Sequence, residues 1–348
     1  MIDEVSRDGG FNPTFDLALV APHEDPQTFE TFNVWLVDGS RRLGVNMHLY
    51  FVRGGLARER ASLFLPDGRT LIAHTEGVYA RGDEPGGASL RYLCREPFKQ
   101  WDYRWTGQAV AMTEDEEARG WVGDEGRRTD PVSVSIDAET LTEPWVIPLS
   151  TGPNSLKGPA KIAGGAFLGK YEQLLRGAGT VQVGAEQWTF SGVGLRGHVR
   201  GPRDTAGMGS HAWVTGCFPG GKGFCLKQLF TLEGAAYFSE AYIAQGVRIE
   251  RAEIISSPKL MRSADARTFD LELRVGSKSV RIDGENFHTT WVPLGSWDNG
   301  AAKGPGTSSG AFSSGHGLAL DAPKIMSQSC ARFLWDGEEG FGMCELSG

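Results

Sequence analysis

The chain has 348 residues, 40% hydrophobic and 22% charged, a balance that excludes a disordered or fibrous protein. Its net charge of −8 offers no basic stripe to neutralise phosphates, so we expect no nucleic-acid partner. No apolar run has the length of a membrane span, and the polar start "MIDEVSRDGG" lacks the pattern of a signal peptide. The sequence therefore predicts a cytoplasmic protein.

Short alternating or β-branched segments, separated by Gly, Asp-Gly and Pro, run along most of the chain. The first predicted hairpin spans residues 32–52 around an Asp-Gly turn, and the second spans residues 61–74 around Pro-Asp-Gly. Further strands or hairpins are predicted at residues 133–141, 179–195, 212–232, 268–285 and 329–346. Regular short strands with turn signals predict barrels or sandwiches.

Helical patterns are scarce in this sequence. Residues 113–121, "TEDEEARGW", predict one short helix near Glu114. Residues 167–177, "FLGKYEQLLRG", have apolar residues at helical spacing, but the same segment can form an edge strand. The sequence leaves both assignments open for this segment.

Two pairs of similar segments indicate an internal duplication. Trp35 begins an aromatic strand, a Gly-containing turn and a second strand ending in Phe, and Trp213 begins the same succession. Glu172 in "GKYEQ" and Glu345 in "GMCEL" are separated by a similar number of residues. The chain is therefore predicted to contain two related β units.

This duplication divides the chain into an N-terminal domain, residues 1–180, and a C-terminal domain, residues 181–348. A Gly-rich stretch at residues 176–190 supports the boundary. Small polar residues at 299–317 predict a long loop, and long loops at barrel mouths often cover ligands. The sequence thus predicts an all-β fold of two similar domains.

Familiar cofactor and metal motifs are missing from the sequence. It has no G-x-G-x-x-G joining a strand to a helix, no Walker loop, no G-x-S-x-G elbow and no H-E-x-x-H. The five cysteines are odd in number and form no C-x-x-C, and the seven histidines are scattered. We therefore predict no cofactor, no metal site and no disulfide framework.

The densest polar cluster lies between Gly194 and Trp213, "GLRGHVRGPRDTAGMGSHAW". Arg196 and His198 share one face of an extended strand, and Asp204 can accept a bidentate bond from a nearby arginine. One interpretation is the polar end of an apolar cavity, where His198 or Asp204 transfers protons. The other is a structural Arg–Asp network that holds a long loop. The residues alone leave both open.

The same stretch resembles the signature G-x-G-x-R-x-H-x-x-G-x-R of a group of two-domain, lipocalin-like proteins. The matching positions are Gly192, Gly194, Arg196, His198, Gly201 and Arg203. "YEQLLRGAG" and "GFGMCE" are also similar to that group, which includes the carotenoid 1,2-hydratases (hydroxyneurosporene synthases), the kievitone hydratases and the AttH-like proteins. Many members have Asp directly before the motif histidine, whereas this sequence has Gly197 and lacks that His–Asp pair.

The resemblance implies two lipocalin-like antiparallel β-barrel or sandwich halves and an apolar pocket. It implies a cofactor-independent acid/base enzyme whose partner is a hydrophobic small molecule, an isoprenoid or terpenoid alkene that is hydrated or formed by dehydration. The alternatives are a cyclase or isomerase acting on a terpenoid or polyketide, and a non-catalytic carrier of a lipid, steroid or terpenoid. A homodimer is the expected assembly.

Candidate site residues come from the polar stretch, two glutamates and the aromatic strands. Four are expected to transfer protons: His198, Asp204, Glu172 and Glu345. Seven are expected to contact the substrate: Arg196, Arg203, His211, Trp213, Trp35, Trp105 and Trp291. An alternative role for the two glutamates is to bond the arginines of the polar stretch.

Overall fold

A computed structural model describes residues 7–19, 28–52, 56–78, 82–118, 129–147, 161–163, 166–202, 208–263, 265–293 and 325–348. Arg203, Asp204 and the predicted loop at 299–317 lie outside these residues. The described chain is almost entirely β-strand, which confirms the predicted all-β fold class. Within it, no helix combines the length and apolar character that crossing a membrane requires.

The N-terminal strands form one antiparallel sheet that closes on itself. Its strands are β1 Thr28–Asp38, β2 Leu43–Val52, β3 Leu56–Phe64, β4 Arg69–Val78, β5 Leu90–Glu96, β6 Gln100–Thr113, β7 Thr129–Thr140, β8 Trp145–Ile147, β9 Lys161–Ala163, β10 Ala166–Val183 and β11 Glu186–Pro202. The order is β11-β1-β2-β3-β4-β6-β7-β10, and pairing between β10 and β11 completes the ring. β5 adds to β6, while β8 and β9 add to β10.

The C-terminal strands form a second closed barrel, in which each strand pairs with the next along the chain and the last pairs with the first. Its strands are β12 Met208–Cys217, β13 Lys222–Thr231, β14 Ala236–Gln245, β15 Arg248–Ser256, β16 Thr268–Val275, β17 Lys278–Pro293, β18 Ile325–Trp335 and β19 Glu338–Ser347. The predicted short helix is present as α1, Glu114–Ala118. The ambiguous segment at 167–177 is strand, within β10.

Sheet pairing sets where the two barrels divide. Residue 180, the predicted domain boundary, lies inside β10, which pairs along its length with β11. Both strands are needed to close the first ring, so the first barrel extends to Pro202 and the second begins at Met208. Internal similarity pointed to two units but not to this division between them.

Glycines in β10 and β11 allow neighbouring strands to approach closely where the first barrel closes. A Cβ atom on Gly194 would lie 1.9 Å from the carbonyl oxygen of Trp35, and one on Gly179 would lie 1.9 Å from that of Ser135. Any side chain would therefore push the strands apart. At Gly194, the glycine of the recognised signature has a structural explanation.

Side chains fill the interior of the first barrel. Its apolar cluster includes Phe32, Tyr92, Trp101, Tyr103 and Trp105, each at most 2% exposed. These rings meet edge to face or tilted, as in the Phe32–Tyr92 and Tyr92–Tyr103 pairs. This interior is a packed core around large aromatic residues.

The outer faces of the two barrels pack against each other through an apolar cluster. Trp35 of β1 stacks on Phe64 of β3, and Phe64 meets His288 of β17 edge to face, with centroids 5.2 Å apart. Thr70 Oγ1 of β4 lies 3.0 Å from Nε2 of the same histidine. Residues of both barrels thus form one continuous core at this end of the interface.

Candidate functional site

The ionisable signature residues that the structure describes lie inside the first barrel. His198 of β11 is 1% exposed, with Nε2 2.8 Å from Glu30 Oε1 and Nδ1 3.0 Å from the Tyr171 hydroxyl. Arg200 Nη2 donates to the same Glu30 oxygen at 2.5 Å. It also donates to the carbonyl oxygen of Leu17, at 2.7 Å. Both ring nitrogens of His198 are therefore within hydrogen-bonding distance of buried protein groups.

Asp16 holds the N-terminal segment against this network. Arg196 Nη2 donates to Asp16 at 2.6 Å and Trp101 Nε1 donates at 3.0 Å. The Phe98 amide and the Tyr171 hydroxyl also donate to its carboxylate. Burial alone would raise the pKa of Asp16, but the charge and hydrogen bond of Arg196 lower it. The carboxylate is thus ionised and fully paired.

Glu30 and His198 respond to the same burial in different ways. Burial would raise the pKa of Glu30, but the bond from His198 and the charge of Arg200 hold it at about 2. Burial lowers the pKa of His198, although the bond to Glu30 opposes the change. The network supports the structural interpretation of the polar stretch, and a catalytic role for His198 stays a prediction.

Beyond the apolar end of the interface, the facing strands carry polar residues. On the first barrel, cross-strand pairing places one row of residues on β4, β3, β2, β1, β11 and β10: His74, Arg60, His48, Asn33, Gly197 and Glu172. Directly paired residues project from the same face of a sheet. The row therefore follows the outer surface of the barrel that packs on its neighbour.

The second barrel presents a matching row. Pairing across β17, β18, β19, β12 and β13 aligns Thr290, Gln328, Glu345, Trp213 and Lys227. The two rows meet where Trp213 Nε1 donates to Glu172 Oε2 at 3.2 Å. The ammonium groups of Lys170 and Lys227 each lie 4.4 Å from the Trp213 ring centroid, and Lys170 pairs with Glu172.

These contacts correct the alternative role of the two predicted glutamates. Glu172 is bonded by Lys170 and Trp213, and Glu345 by His211 and Gln328. The described arginines of the polar stretch lie on the inner face of β11, whereas both glutamates lie on outer faces. The barrel wall therefore separates the two groups.

Glu345 and His211 form a buried acid–imidazole pair. His211 Nε2 lies 2.9 Å from Glu345 Oε1, and Gln328 Nε2 donates to Oε2 at 2.6 Å. Burial would raise the pKa of Glu345, but the bond from His211 and its charge, with the Gln328 bond, hold it at about 2. The ionised carboxylate accepts a hydrogen bond from Nε2, and the Ser347 hydroxyl lies 2.6 Å from Nδ1 on the other side of the ring.

The surroundings of Glu117, on α1, shift its pKa in the direction opposite to that of Glu345. It is 0% exposed, and its Oε2 accepts from Thr290 Oγ1 at 2.6 Å and from the Trp291 amide at 2.8 Å. Burial raises its pKa to about 8, and these bonds offset the rise only in part. Within the described chain, its Oε1 has no hydrogen-bond partner. Glu117 is therefore mostly protonated at neutral pH, with one oxygen available to a ligand.

Arg60 connects the two carboxyl groups. Its guanidinium is buried and interacts electrostatically with both Glu345 and Glu117, and with Tyr50. Burial lowers its pKa to about 10, so it is still charged at neutral pH. We refer to Arg60, Glu117, His211, Trp213 and Glu345 as the interbarrel site.

The structure brings some predicted residues together and separates others. Four lie between the barrels at or beside the interbarrel site: Glu172, Glu345, His211 and Trp213. Three lie inside the first barrel: Arg196, His198 and Trp105. Trp35 belongs to the apolar end of the interface, and Trp291 is joined to Glu117 through its amide. Asp204 and Arg203 lie outside the described residues, so their roles stay predictions.

Sequence reasoning missed Arg60, Glu117, Asp16 and Glu30. The run "EDEE" at residues 114–117 is acidic throughout, and nothing in it distinguishes the buried Glu117 from the exposed Asp115. One signal was present: Arg60 occupies an outward position in an alternating strand that continues into the apolar Phe64. A charged residue on a strand face that is otherwise buried is an indication of a site.

Comparisons with known proteins agree with the fold. A family model described as "Domain of unknown function (DUF7064)" matches residues 18–308. An AttH-like protein from Nitrosomonas europaea is similar over 95% of this chain and 98% of its own, with 13% identity and a TM-score of 0.55. That similarity confirms the two-domain, lipocalin-like fold predicted from the signature.

Two other solved structures align less closely. CghA, in a complex with Sch210972, is 12% identical over 97% of this chain and 96% of its own, with a TM-score of 0.46. Kievitone hydratase from Nectria haematococca is 9% identical over 92% and 88%, with a TM-score of 0.47. Among curated proteins, none matches this sequence.

Proposed function

The chain belongs to the family described as "Domain of unknown function (DUF7064)", and we propose that it is a cofactor-independent acid/base enzyme acting between its two barrels. The proposed reaction is hydration or dehydration of a hydrophobic, isoprenoid-like molecule. One observation carries the proposal. Two buried carboxyl groups near Arg60 have pKa values displaced in opposite directions, Glu117 upward and Glu345 downward. Such a pair assigns an acid and a base.

In the dehydration direction, Glu117 gives its proton to the hydroxyl group that leaves as water. Glu345 then accepts a proton from the adjacent carbon, and the electrons of that C–H bond become the new C=C π bond. A carboxylate with a pKa of about 2 is a weak base. It therefore suits a proton that is already acidic, beside a cationic centre or a carbonyl group. Glu117 then regains a proton from solvent, and Glu345 releases the proton that it accepted to solvent.

The neighbouring groups support these two roles. His211 and Gln328 hold one oxygen of Glu345 each, which fixes the carboxylate in place. Thr290 and the Trp291 amide hold Oε2 of Glu117, which leaves Oε1 to face a substrate.

A test of the proposal uses a panel of terpenoid tertiary alcohols and alkenes, such as linalool, α-terpineol and myrcene, in heavy-oxygen-labelled water. Mass spectrometry follows label incorporation and loss of water. We expect Glu117→Gln to lower the rate by about 100-fold or more, because the amide cannot supply the proton. Asp115→Asn, an exposed change on the same helix, is expected to keep the rate.

Two outcomes contradict the proposal. The first is a Glu117→Gln protein that converts its substrate as fast as the unmodified protein. The second is a purified protein that retains an isoprenoid unchanged and exchanges no label with any panel member. That second outcome supports the carrier alternative, with the ligand held between the barrels, because side chains fill the interior of the first barrel.

A further inference from the structure

On the first barrel, the interbarrel site is bordered by three residues whose side chains can carry a positive charge. Arg60 on β3 is paired directly with His48 on β2 and with His74 on β4, so the three side chains project side by side from one face. Arg60 is buried, whereas both histidines are half-buried. The guanidinium therefore has an imidazole on either side along this face.

Charge at the site differs in sign from the charge of the whole molecule. Arg60 and Lys227 carry two positive charges, and ionised Glu345, which interacts with both, carries one negative charge. Lys170 and Glu172 cancel each other. Without counting the histidines, and with Glu117 protonated, these groups carry one positive charge in excess, in a chain of net charge −8. One excess charge suits a monoanion.

The surroundings of Arg60 indicate what the rest of such a ligand is made of. Phe64 follows Arg60 on the same face of β3 and packs on Trp35. Trp213 lies across the interface, beside Glu345 in the paired strand. A ligand held at Arg60 therefore meets aromatic and apolar side chains at its other end.

We propose that the interbarrel site binds a carboxylate carried by an otherwise apolar molecule, with Arg60 as the main contact and His48 and His74 on either side. This inference rests on the proposed function, since it names the substrate class of the same site. The guanidinium can donate two parallel hydrogen bonds to a carboxylate, which an alcohol cannot match. A carboxylate bound there lies close to both Glu117 and Glu345.

Calorimetric titration with farnesoic acid and farnesol tests the proposal, because these probes share one apolar chain and differ only in the head group. We expect the acid to bind at least about tenfold more tightly than the alcohol, as charge-assisted bonds require. Arg60→Met is expected to abolish this preference while farnesol affinity stays within about twofold, and Arg60→Lys is expected to restore part of it.

Arg332→Met is the matched control, because it removes one positive charge from an exposed position on the second barrel. It is expected to leave the preference unchanged. If Arg60→Met does not fold, the double variant His48→Gln and His74→Gln provides the test. Its preference for the acid over the alcohol is expected to be several-fold smaller than that of the unmodified protein. Equal binding of acid and alcohol by the unmodified protein, or equal weakening of both probes at Arg60, overturns the proposal.

These titrations need no turnover, so they separate the two proposals. A carboxylate preference that persists while Glu117→Gln leaves the reaction rate unchanged keeps the ligand class and rejects the acid/base assignment. If Glu117→Gln loses turnover and the unmodified protein shows no carboxylate preference, the acid/base assignment is kept and the ligand class is rejected.

Discussion

Glu117 differs from three other buried carboxylates, those of Asp16, Glu30 and Glu345, in the charge of its hydrogen-bond donors. Asp16 receives a bond from Arg196, Glu30 from Arg200 and His198, and Glu345 from His211. The donors to Glu117 are a neutral hydroxyl and a backbone amide. Neutral donors do not offset the loss of hydration, so its pKa rises while the other three are lowered.

This difference predicts that the contribution of buried Glu117 to the free energy of unfolding depends on pH. The folded protein binds the Glu117 proton up to a pH of about 8, whereas the ordinary pKa of 4.5 applies when it is unfolded. The folded state therefore binds more protons between these values, and the free energy of unfolding falls as the pH rises through the window. Across it, the fall attributable to Glu117 is expected to reach up to about 5 kcal/mol.

Urea unfolding of the unmodified protein and of Glu117→Gln, at a series of pH values, measures this contribution. The variant is expected to gain stability relative to the unmodified protein as the pH increases, with no further gain above a pH of about 8. Asp115→Asn should follow the unmodified curve. Parallel curves for Glu117→Gln and the unmodified protein contradict the assignment of Glu117 as a buried neutral acid.

Two secondary-structure elements, α1 and β11, determine where several of the charged side chains described above lie. The helix follows β6 of the first barrel, yet its carboxylates bond to the second barrel: Glu117 accepts from the Trp291 amide of β17, and Glu114 pairs at 3.2 Å with Arg267, directly before β16. One turn of helix thus carries a residue of one barrel onto the other. β11 places arginines and a histidine inside its barrel and Gly197 on the interface.

The close strand approach at Gly194 predicts a stability effect at the level of the element. Gly194→Ala is expected to lower the free energy of unfolding by about 1–3 kcal/mol, because the new Cβ would meet the Trp35 carbonyl oxygen at 1.9 Å. Gly107→Ala in β6 is the control, since its Cβ would lie 3.6 Å from the nearest atom. Chemical denaturation measures both, and equal stabilities would show that β11 can move aside.

At the scale of the whole molecule, the two barrels share an apolar core and a polar site. Trp35 and Phe64 of the first barrel pack with Cys330 and Met343 of the second in one cluster. Neither barrel can bury these faces alone. We therefore expect the barrels to unfold together and not as independent domains.

Phe64→Ala tests this coupling. Removing a fully buried ring at the interface is expected to cost roughly 3–5 kcal/mol, and to shift circular dichroism and tryptophan fluorescence transitions by the same amount. Leu334→Ala, at an exposed position of β18, is expected to change stability by less than about 0.5 kcal/mol. Two separate transitions, or a shift of one probe alone, would show that the barrels are independent.

Local signals in the sequence were sufficient for much of the fold. Asp-Gly turns and alternating residues predicted the hairpins of β1–β2 and β3–β4, and both are present. The acidic run at Glu114 predicted the helix. These features depend on neighbours a few residues apart, which the sequence records directly. The β10 segment stayed ambiguous because its helical spacing is overridden by pairing with β7 and β11.

The sequence by itself determined an all-β chain of two related units, the hairpin turns, and the family signature with its glycines. Only the tertiary structure decided that the signature's His198 lies inside a packed barrel and that Glu172, Glu345 and Trp213 meet between barrels. It alone brought Arg60 and Glu117 to Glu345. Alternation along a strand shows that two faces differ, but not which face closes around a core and which meets another barrel. That choice depends on contacts between residues more than a hundred positions apart, such as Trp291 and Glu117.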